Sequence, residues 1–282
     1  MQKILRLLNR NRLLIFILVV AAVSRLWNVG GFLDFKGDEG RDLRVVSRFI
    51  KDFDLMFIGP RTSIGDMYLG PLYYYLISPA LLLANFSPVG PAVFVCLIGV
   101  ATVYLVWLIG KEWFGKAAGL VAASLYAISP VVIENSRDSW NPNVMPFFSL
   151  ITMYSAWRAL TTRRYSWLLV SAVSFAFALQ SHYLGLLLLP TIGIMWLFTF
   201  WKQPKNRIKL SLFTLYAFTL FALLMSPIFI FDLKHNNQNI NSFIIFFTHR
   251  QDTVSAKPWN AIPELWPIWK DNIVTRLLGG KE

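Results

Sequence analysis

The chain has 282 residues, 56% of them hydrophobic and 16% aromatic, with only 15% charged and a mean hydropathy of +0.51. Soluble domains carry about 25% charged residues, so a chain this apolar excludes a soluble multidomain protein and reads as a polytopic membrane protein. The formal net charge of +12 does not mark a nucleic-acid partner, because Lys and Arg are spread over short loops between apolar runs, the pattern of a cytoplasmic basic excess.

The stretch 1–12 holds Lys3, Arg6, Arg10 and Arg12 and precedes the apolar residues 13–23. That also describes a secretory signal peptide, with Ala22-Val23-Ser24 as a tolerable cleavage site. The apolar run resumes through Leu26-Trp27, which favours an uncleaved first span. Spans need about 20 apolar residues, and seven stretches qualify: 13–29, 91–110, 117–133, 143–160, 166–181, 183–201 and 210–231. The one cysteine, Cys96, lies inside the second of these, so disulfides and Cys-based metal sites are excluded.

The stretch 71–85 is ambiguous, and counting it as a span reverses the side of everything after it. If it does not cross, the inner loops gather thirteen basic residues: Lys3, Arg6, Arg10, Arg12, Lys111, Lys116, Arg158, Arg163, Arg164, Lys202, Lys205, Arg207 and Lys209. If it crosses, nine of them move outside, against the positive-inside rule. It is also short and contains Pro79, so a helix lying in the interface is expected. The N-terminus is then cytoplasmic, and the outer face of a plasma or inner membrane receives the loop 30–90, the connector 134–142, the His182 turn and the tail. Residues 1–231 form a transmembrane module. The tail 232–282, with Pro258, Pro263 and Pro267 among tryptophans, reads as an aromatic interfacial segment and as the start of a further C-terminal part.

Four outward-facing clusters carry the candidate chemistry. In Gly37-Asp38-Glu39-Gly40-Arg41-Asp42, Gly37 breaks the chain and Asp38 can cap a helix. Leu43, Val46, Ile50 and Phe53 then recur on one side, with Arg41, Arg44, Arg48 and Lys51 on the other. That is an amphipathic helix on the membrane, its basic face suited to lipid phosphates; the bland alternative makes Asp38 a cap and Glu39 a partner of the helix dipole. Further along the loop, Arg61 is a candidate substrate contact. Tyr73, Tyr74 and Tyr75 are either interfacial anchors or the wall of a sugar pocket. In the connector, Arg137 either pairs with Asp138 or Glu134 or clamps a phosphate, with Asn141 beside Pro142. In Gln180-Ser181-His182-Tyr183, a lone histidine in a turn is more often structural than catalytic.

In this order the motifs resemble the GT-C glycosyltransferases, closest to the protein O-mannosyltransferases and bacterial lipid A aminoarabinose transferases. The resemblance rests on Asp38-Glu39 after the first span, Pro71-Leu72-Tyr73-Tyr74-Tyr75, the arginine connector ending in Asn141-Pro142, His182-Tyr183 before a Leu-rich span, and Pro227 with Phe231-Asp232-Leu233-Lys234-His235. It implies an all-α fold of about seven transmembrane helices with interfacial helices in the first outer loop. It also implies a polyprenyl-phosphate sugar donor and a glycan, lipid or protein acceptor. Asp38 is the implied general base, with inversion at the anomeric carbon. Glu39, Arg41, Arg61, Tyr73, Arg137, Asp138, Asn141 and His182 are the expected substrate contacts. The chain departs from the family at Asn141, where an acid is common, and at Tyr68-Leu69-Gly70, where a charged residue or histidine commonly precedes Pro-Leu. No cofactor is expected, and a divalent metal finds no support in the sequence. Family members are usually longer, so the chain reads as a fragment or a reduced form. The competing readings are a lipid-linked-sugar flippase and an inactive lipid-binding module.

Overall fold

Inside a bilayer core no water satisfies the backbone, so a long uncharged run crosses only as a helix or as part of a closed barrel. The computed structural model, which describes residues 11–33, 37–62, 67–248 and 262–275, takes the helical route. Among the described residues, extended pairing is confined to one isolated antiparallel bridge between Arg61 and Tyr68. The main helices are α1 (Arg12–Leu26), α2 (Gly37–Asp52), α3 (Leu72–Leu83), α4 (Val89–Phe114), α5 (Lys116–Ile128), α6 (Met145–Thr162), α7 (Trp167–Ser181), α8 (Leu188–Lys202), α9 (Arg207–Lys234) and α10 (Gln238–Thr248).

Each of the seven apolar stretches coincides with a helix. Three helical segments, Val89–Phe114, Tyr183–Lys202 and Pro204–Lys234, are long and apolar enough to cross a membrane by length and composition. One of the others is interrupted by local chemistry. The stretch 117–133 is split at Ser129-Pro130, where proline disfavours a helical conformation at the preceding residue. Ser129 is accordingly extended (φ −61°, ψ 120°), and a short helix restarts over Pro130–Asn135. The ambiguous stretch becomes α3, whose 12 residues rise about 18 Å, against a hydrocarbon core of about 30 Å.

The chain divides into two compact units, one drawn from Met1–Asp34, Ala92–Ser139 and Phe246–Glu282, the other from Phe35–Pro91 and Trp140–Ile245. In the first, Leu14, Ile17 and Ala21 of α1 pack with Val103 and Trp107 of α4 and with Ala123 and Ala127 of α5. Arg25, near the end of α1, is wholly buried. Its Nη1 donates to the carbonyls of Ala21 (3.2 Å) and Ala127 (3.0 Å), and its Nη2 donates to that of Tyr126 (3.2 Å). The last carbonyls of a helix lack intrahelical partners and carry the negative end of its dipole, so the guanidinium satisfies the end of α5 from a side chain on α1. Arg25→Met should therefore lower stability by about 1–2 kcal/mol, read as a drop in the thermal unfolding midpoint in detergent; an unchanged midpoint would show that the carbonyls find other donors.

In the second unit α7 is central. Phe175 and Leu179 of α7 pack on Met225 and Ile228 of α9, and Leu168 packs with Ala159 and Leu160 of α6 and Leu210 of α9. Small polar residues let α6 and α7 approach closely, as is common between membrane helices. Thr152 Oγ1 donates to Ser174 Oγ at 2.9 Å, and Ser171 Oγ donates to the Thr152 carbonyl at 3.1 Å. Helix α9 runs three residues past the predicted end at 231. The buried Asp232 then caps α10, accepting from the backbone N–H groups of Asn239 (2.6 Å) and Ile240 (3.0 Å). The intervening Asn236 and Asn237 take positive φ (54° and 56°), which asparagine tolerates better than most residues.

Candidate active site

Helix α2 carries its basic residues as expected, with Arg44, Arg48 and Lys51 exposed, but its buried stripe is not the apolar one read from the sequence. The residues turned inward are Glu39, Asp42 and Val46, at i, i+3 and i+7, followed by Phe49, whose ring meets Tyr75 edge-on at 5.1 Å. Leu43 and Ile50 are half-buried, and Phe53, 81% exposed, ends the helix at a positive φ of 54°. Two carboxylates thus occupy the face that packs on α3.

Asp42 is 1% exposed. Its Oδ1 accepts three hydrogen bonds, from the Tyr74 hydroxyl (2.9 Å) and from Nη2 (2.8 Å) and Nε (3.0 Å) of Arg41. Its Oδ2 is buried with no hydrogen-bond partner. Burial pushes the carboxyl up to about 6, against the opposing pull of the Arg41 cation and the Tyr74 hydroxyl. The same Arg41 donates through Nη1 to Asp38 Oδ1 at 2.9 Å. Asp38 itself keeps half of its side chain exposed (54%). Arg41 therefore stands between an exposed acid and a buried one, with three of its five N–H donors engaged.

The three tyrosines of α3 divide their labour. Tyr73 and Tyr74 are buried. The Tyr75 hydroxyl donates to the Met56 carbonyl and accepts from the Met56 N–H, both at 3.0 Å. Arg61 is exposed and lies on a short hairpin that leads into α3. Gly59 N–H donates to the Leu69 carbonyl (2.7 Å), and Leu69 N–H donates to the Pro60 carbonyl (2.9 Å). Tyr68 on the returning side is held from two directions. Its N–H donates to Asn239 Oδ1 (2.6 Å), and its carbonyl accepts from the Tyr183 hydroxyl (2.6 Å).

The remaining candidate residues of this unit lie at the C-terminal end of α7 and on the connector bonded to it. Gln180, buried, accepts from Leu72 N–H through Oε1 (3.1 Å) and donates through Nε2 to the Leu224 carbonyl (3.0 Å), linking α3, α7 and α9. Asn141 Nδ2 donates to the Ser181 carbonyl at 2.7 Å, which ties the connector to the histidine turn. His182 Nδ1 accepts from Leu184 N–H at 3.1 Å, capping the Tyr183–Leu187 turn. Burial lowers its pKa, favouring a neutral ring with its proton on Nε2.

Within the second unit hydrogen bonds run from Asp38 through Arg41 and Asp42 to Tyr74 of α3, from Leu72 of α3 to Gln180, and from Asn141 to Ser181 beside His182, while Glu39 and Tyr73 lie buried on α2 and α3. Arg137 and Asp138 belong to the first unit. There Arg137 Nη2 donates to the Trp27 carbonyl (2.5 Å), its guanidinium lies 4.6 Å from the centre of the Phe32 ring, and its buried Nε has no hydrogen-bond partner. Among the described residues no group of three or more His, Cys, Asp or Glu side chains is arranged to hold a metal ion. An open apolar groove of about 370 Å³ is lined by Phe148, Ile151, Leu169, Val170, Val173, Ser174, Phe177 and Leu220. Asp42 and Gln180 lie within the motifs read from the sequence, which assign them no role, and Tyr74, expected as an anchor or a pocket wall, instead donates to Asp42. The signal for Asp42 was its position three residues after Glu39, on the same helical face.

Residues 69–231 match the family described as dolichyl-phosphate-mannose-protein mannosyltransferase. No curated protein sequence matches the chain. Among solved structures, the fold is similar to the oligosaccharyltransferase of Archaeoglobus fulgidus in its apo form, with a TM-score of 0.57 and 20% identity over 77% of this chain and 29% of that one. It is equally similar (TM-score 0.57, 19% identity) to AglB from the same organism, in complex with an inhibitory peptide and a dolichol-phosphate, over 91% of this chain and 36% of that one. The chain thus spans about a third of the length of these proteins.

Proposed function

This chain belongs to the dolichyl-phosphate-mannose-protein mannosyltransferase family, within the GT-C glycosyltransferases, and from that we infer that it transfers a sugar from a polyprenyl-phosphate carrier to an acceptor hydroxyl at the extracytoplasmic face. Asp38 is the general base. Its carboxylate takes the acceptor proton as the acceptor oxygen bonds to the anomeric carbon. The bond from that carbon to the phosphate oxygen breaks, and its electron pair leaves with the polyprenyl phosphate. Direct displacement inverts the anomeric centre. The two N–H groups of Arg41 not engaged by Asp38 and Asp42 are the nearest cationic donors to Asp38 and serve the leaving phosphate, a charge-assisted contact that strengthens as negative charge develops. Arg61 and His182 are further contacts for phosphate or sugar, Glu39, Tyr73 and Asn141 frame the site, and the apolar groove suits an isoprenoid tail.

The observation that carries this reading is the half-exposed Asp38 held by Arg41 on α2, ahead of the residues 69–231 that match the family. The test is release of tritium from dolichyl-phosphate [³H]mannose by the purified chain in proteoliposomes, to water or to a Ser/Thr peptide. Time-dependent release above empty liposomes is expected. No release with dolichyl or undecaprenyl carriers of mannose, glucose or aminoarabinose would overturn the assignment.

A further inference from the structure

The buried end of the α2 acid cluster is chemically richer than a tether between two helices requires. A hydrogen bond from Tyr74 to a neutral amide would join α2 to α3 equally well. The chain instead places a carboxylate there, 1% exposed, with Oδ2 left without a partner, which is an expensive arrangement in a site of low dielectric. What a carboxylate adds is charge, and the group that receives it is the Arg41 guanidinium, through Nε and Nη2. The free rotation of a long arginine side chain would otherwise let Nη1 leave Asp38, because an exposed ion pair alone is worth about 0–1 kcal/mol. With Nε and Nη2 fixed, the plane of the guanidinium is fixed, and with it the direction from which Nη1 meets Asp38.

We propose that Asp42 is a positioning residue of the transfer reaction: anchored by Tyr74 of α3, it locks the Arg41 guanidinium, and through it orients the Asp38 carboxylate toward the acceptor. The inference rests on the transferase reading of Asp38. The charged and titratable groups acting on Asp42 are Arg41 and Asp38 from its own helix and Tyr74 from α3, with Glu39 on the same buried stripe. Burial holds the Asp42 carboxyl up at about 6, so the lock has a pH dependence of definite sign. Above that value Asp42 is ionised and grips Arg41. As the pH falls through it, Asp42 takes a proton, loses its charge and releases Arg41.

Two measurements on the full chain in nanodiscs test this. The first is the side-chain ¹⁵Nε signal of Arg41, assigned by its loss in Arg41→Lys, followed from pH 4.5 to 8. The second is the pH profile of mannose release from dolichyl-phosphate [³H]mannose. In the wild type, the Arg41 signal and kcat should change together with one proton near pH 6. In Asp42→Asn, kcat should fall about tenfold with KM for the donor nearly unchanged, the signature of lost transition-state interaction, and this acid limb should disappear. Tyr74→Phe, a milder change, removes a hydrogen bond that favours the ionised carboxyl, so its limb should move to higher pH. An Arg41 signal that does not titrate, or a limb unmoved in both variants, overturns the positioning role while leaving the transferase assignment intact. Absence of any transfer by the wild type overturns that assignment, and the positioning role with it.

Discussion

Asp38→Asn is expected to lower mannose release by about 10²–10⁴-fold, the range that a positioned general base contributes. The substitution keeps the size and shape of the side chain. Because that side chain is 54% exposed and its hydrogen-bond partner is the neighbouring Arg41, the cost to folding should stay within about 0.5 kcal/mol. The loss is then chemical and should appear in kcat, with the thermal midpoint unchanged and the isolated polyprenyl phosphate still bound. Glu39→Gln is the informative comparison. Glu39 is 4% exposed on the face packed against α3, so its replacement should act on stability before it acts on proton transfer. Full activity in Asp38→Asn would remove Asp38 as the base, and a selective loss of kcat in Glu39→Gln would transfer that role to its neighbour.

The parts of the fold that follow from solvent were legible from the residues. A bilayer core leaves an apolar run the choice of a helix or a closed barrel, and runs this long without alternation point to helices, the form that all seven take. The stretch 71–85 is helical as well, as α3. The parts that follow from packing were not. Helix α2 was read with Leu43, Val46, Ile50 and Phe53 as its inner face, because periodicity arguments count acids as outward-facing. The buried stripe is Glu39, Asp42 and Val46, and the partners that make an acid tolerable there, Arg41 and Tyr74, lie on its own helix and on one reached only through the fold. The role of Gln180 is hidden for the same reason. A polar residue near the end of an apolar run gains its role from Leu72 and Leu224, 108 residues before it and 44 after. Arg25, hidden inside the first apolar run, is explained only by the carbonyls at the end of α5. Asp38 needs no such partner to be tolerated, because more than half of its side chain stays exposed.

The second large effect is expected at Gly59, where Gly59→Ala should destabilise the protein by about 1–3 kcal/mol, the usual cost of forcing an extra carbon into a packed site. A Cβ on Gly59 would lie 2.2 Å from the Gly70 carbonyl oxygen. That oxygen is a backbone atom and cannot rotate aside, so the hairpin rungs from Gly59 to Leu69 (2.7 Å) and from Leu69 to Pro60 (2.9 Å) must open. At Gly70 the same addition meets a different obstacle, Gln180 Oε1 at 2.1 Å, the far end of a side chain. Gly70→Ala should therefore cost less, chiefly the bond from Leu72 N–H to Gln180 (3.1 Å). The two glycines are then told apart by a double-mutant cycle. Gln180→Ala should recover part of the thermal stability lost in Gly70→Ala and none of that lost in Gly59→Ala; equal recovery in both would show that the hairpin yields as a unit. Because this hairpin carries Arg61 and delivers the chain into α3, whose Tyr74 holds Asp42, Gly59→Ala should also lower kcat for mannose release.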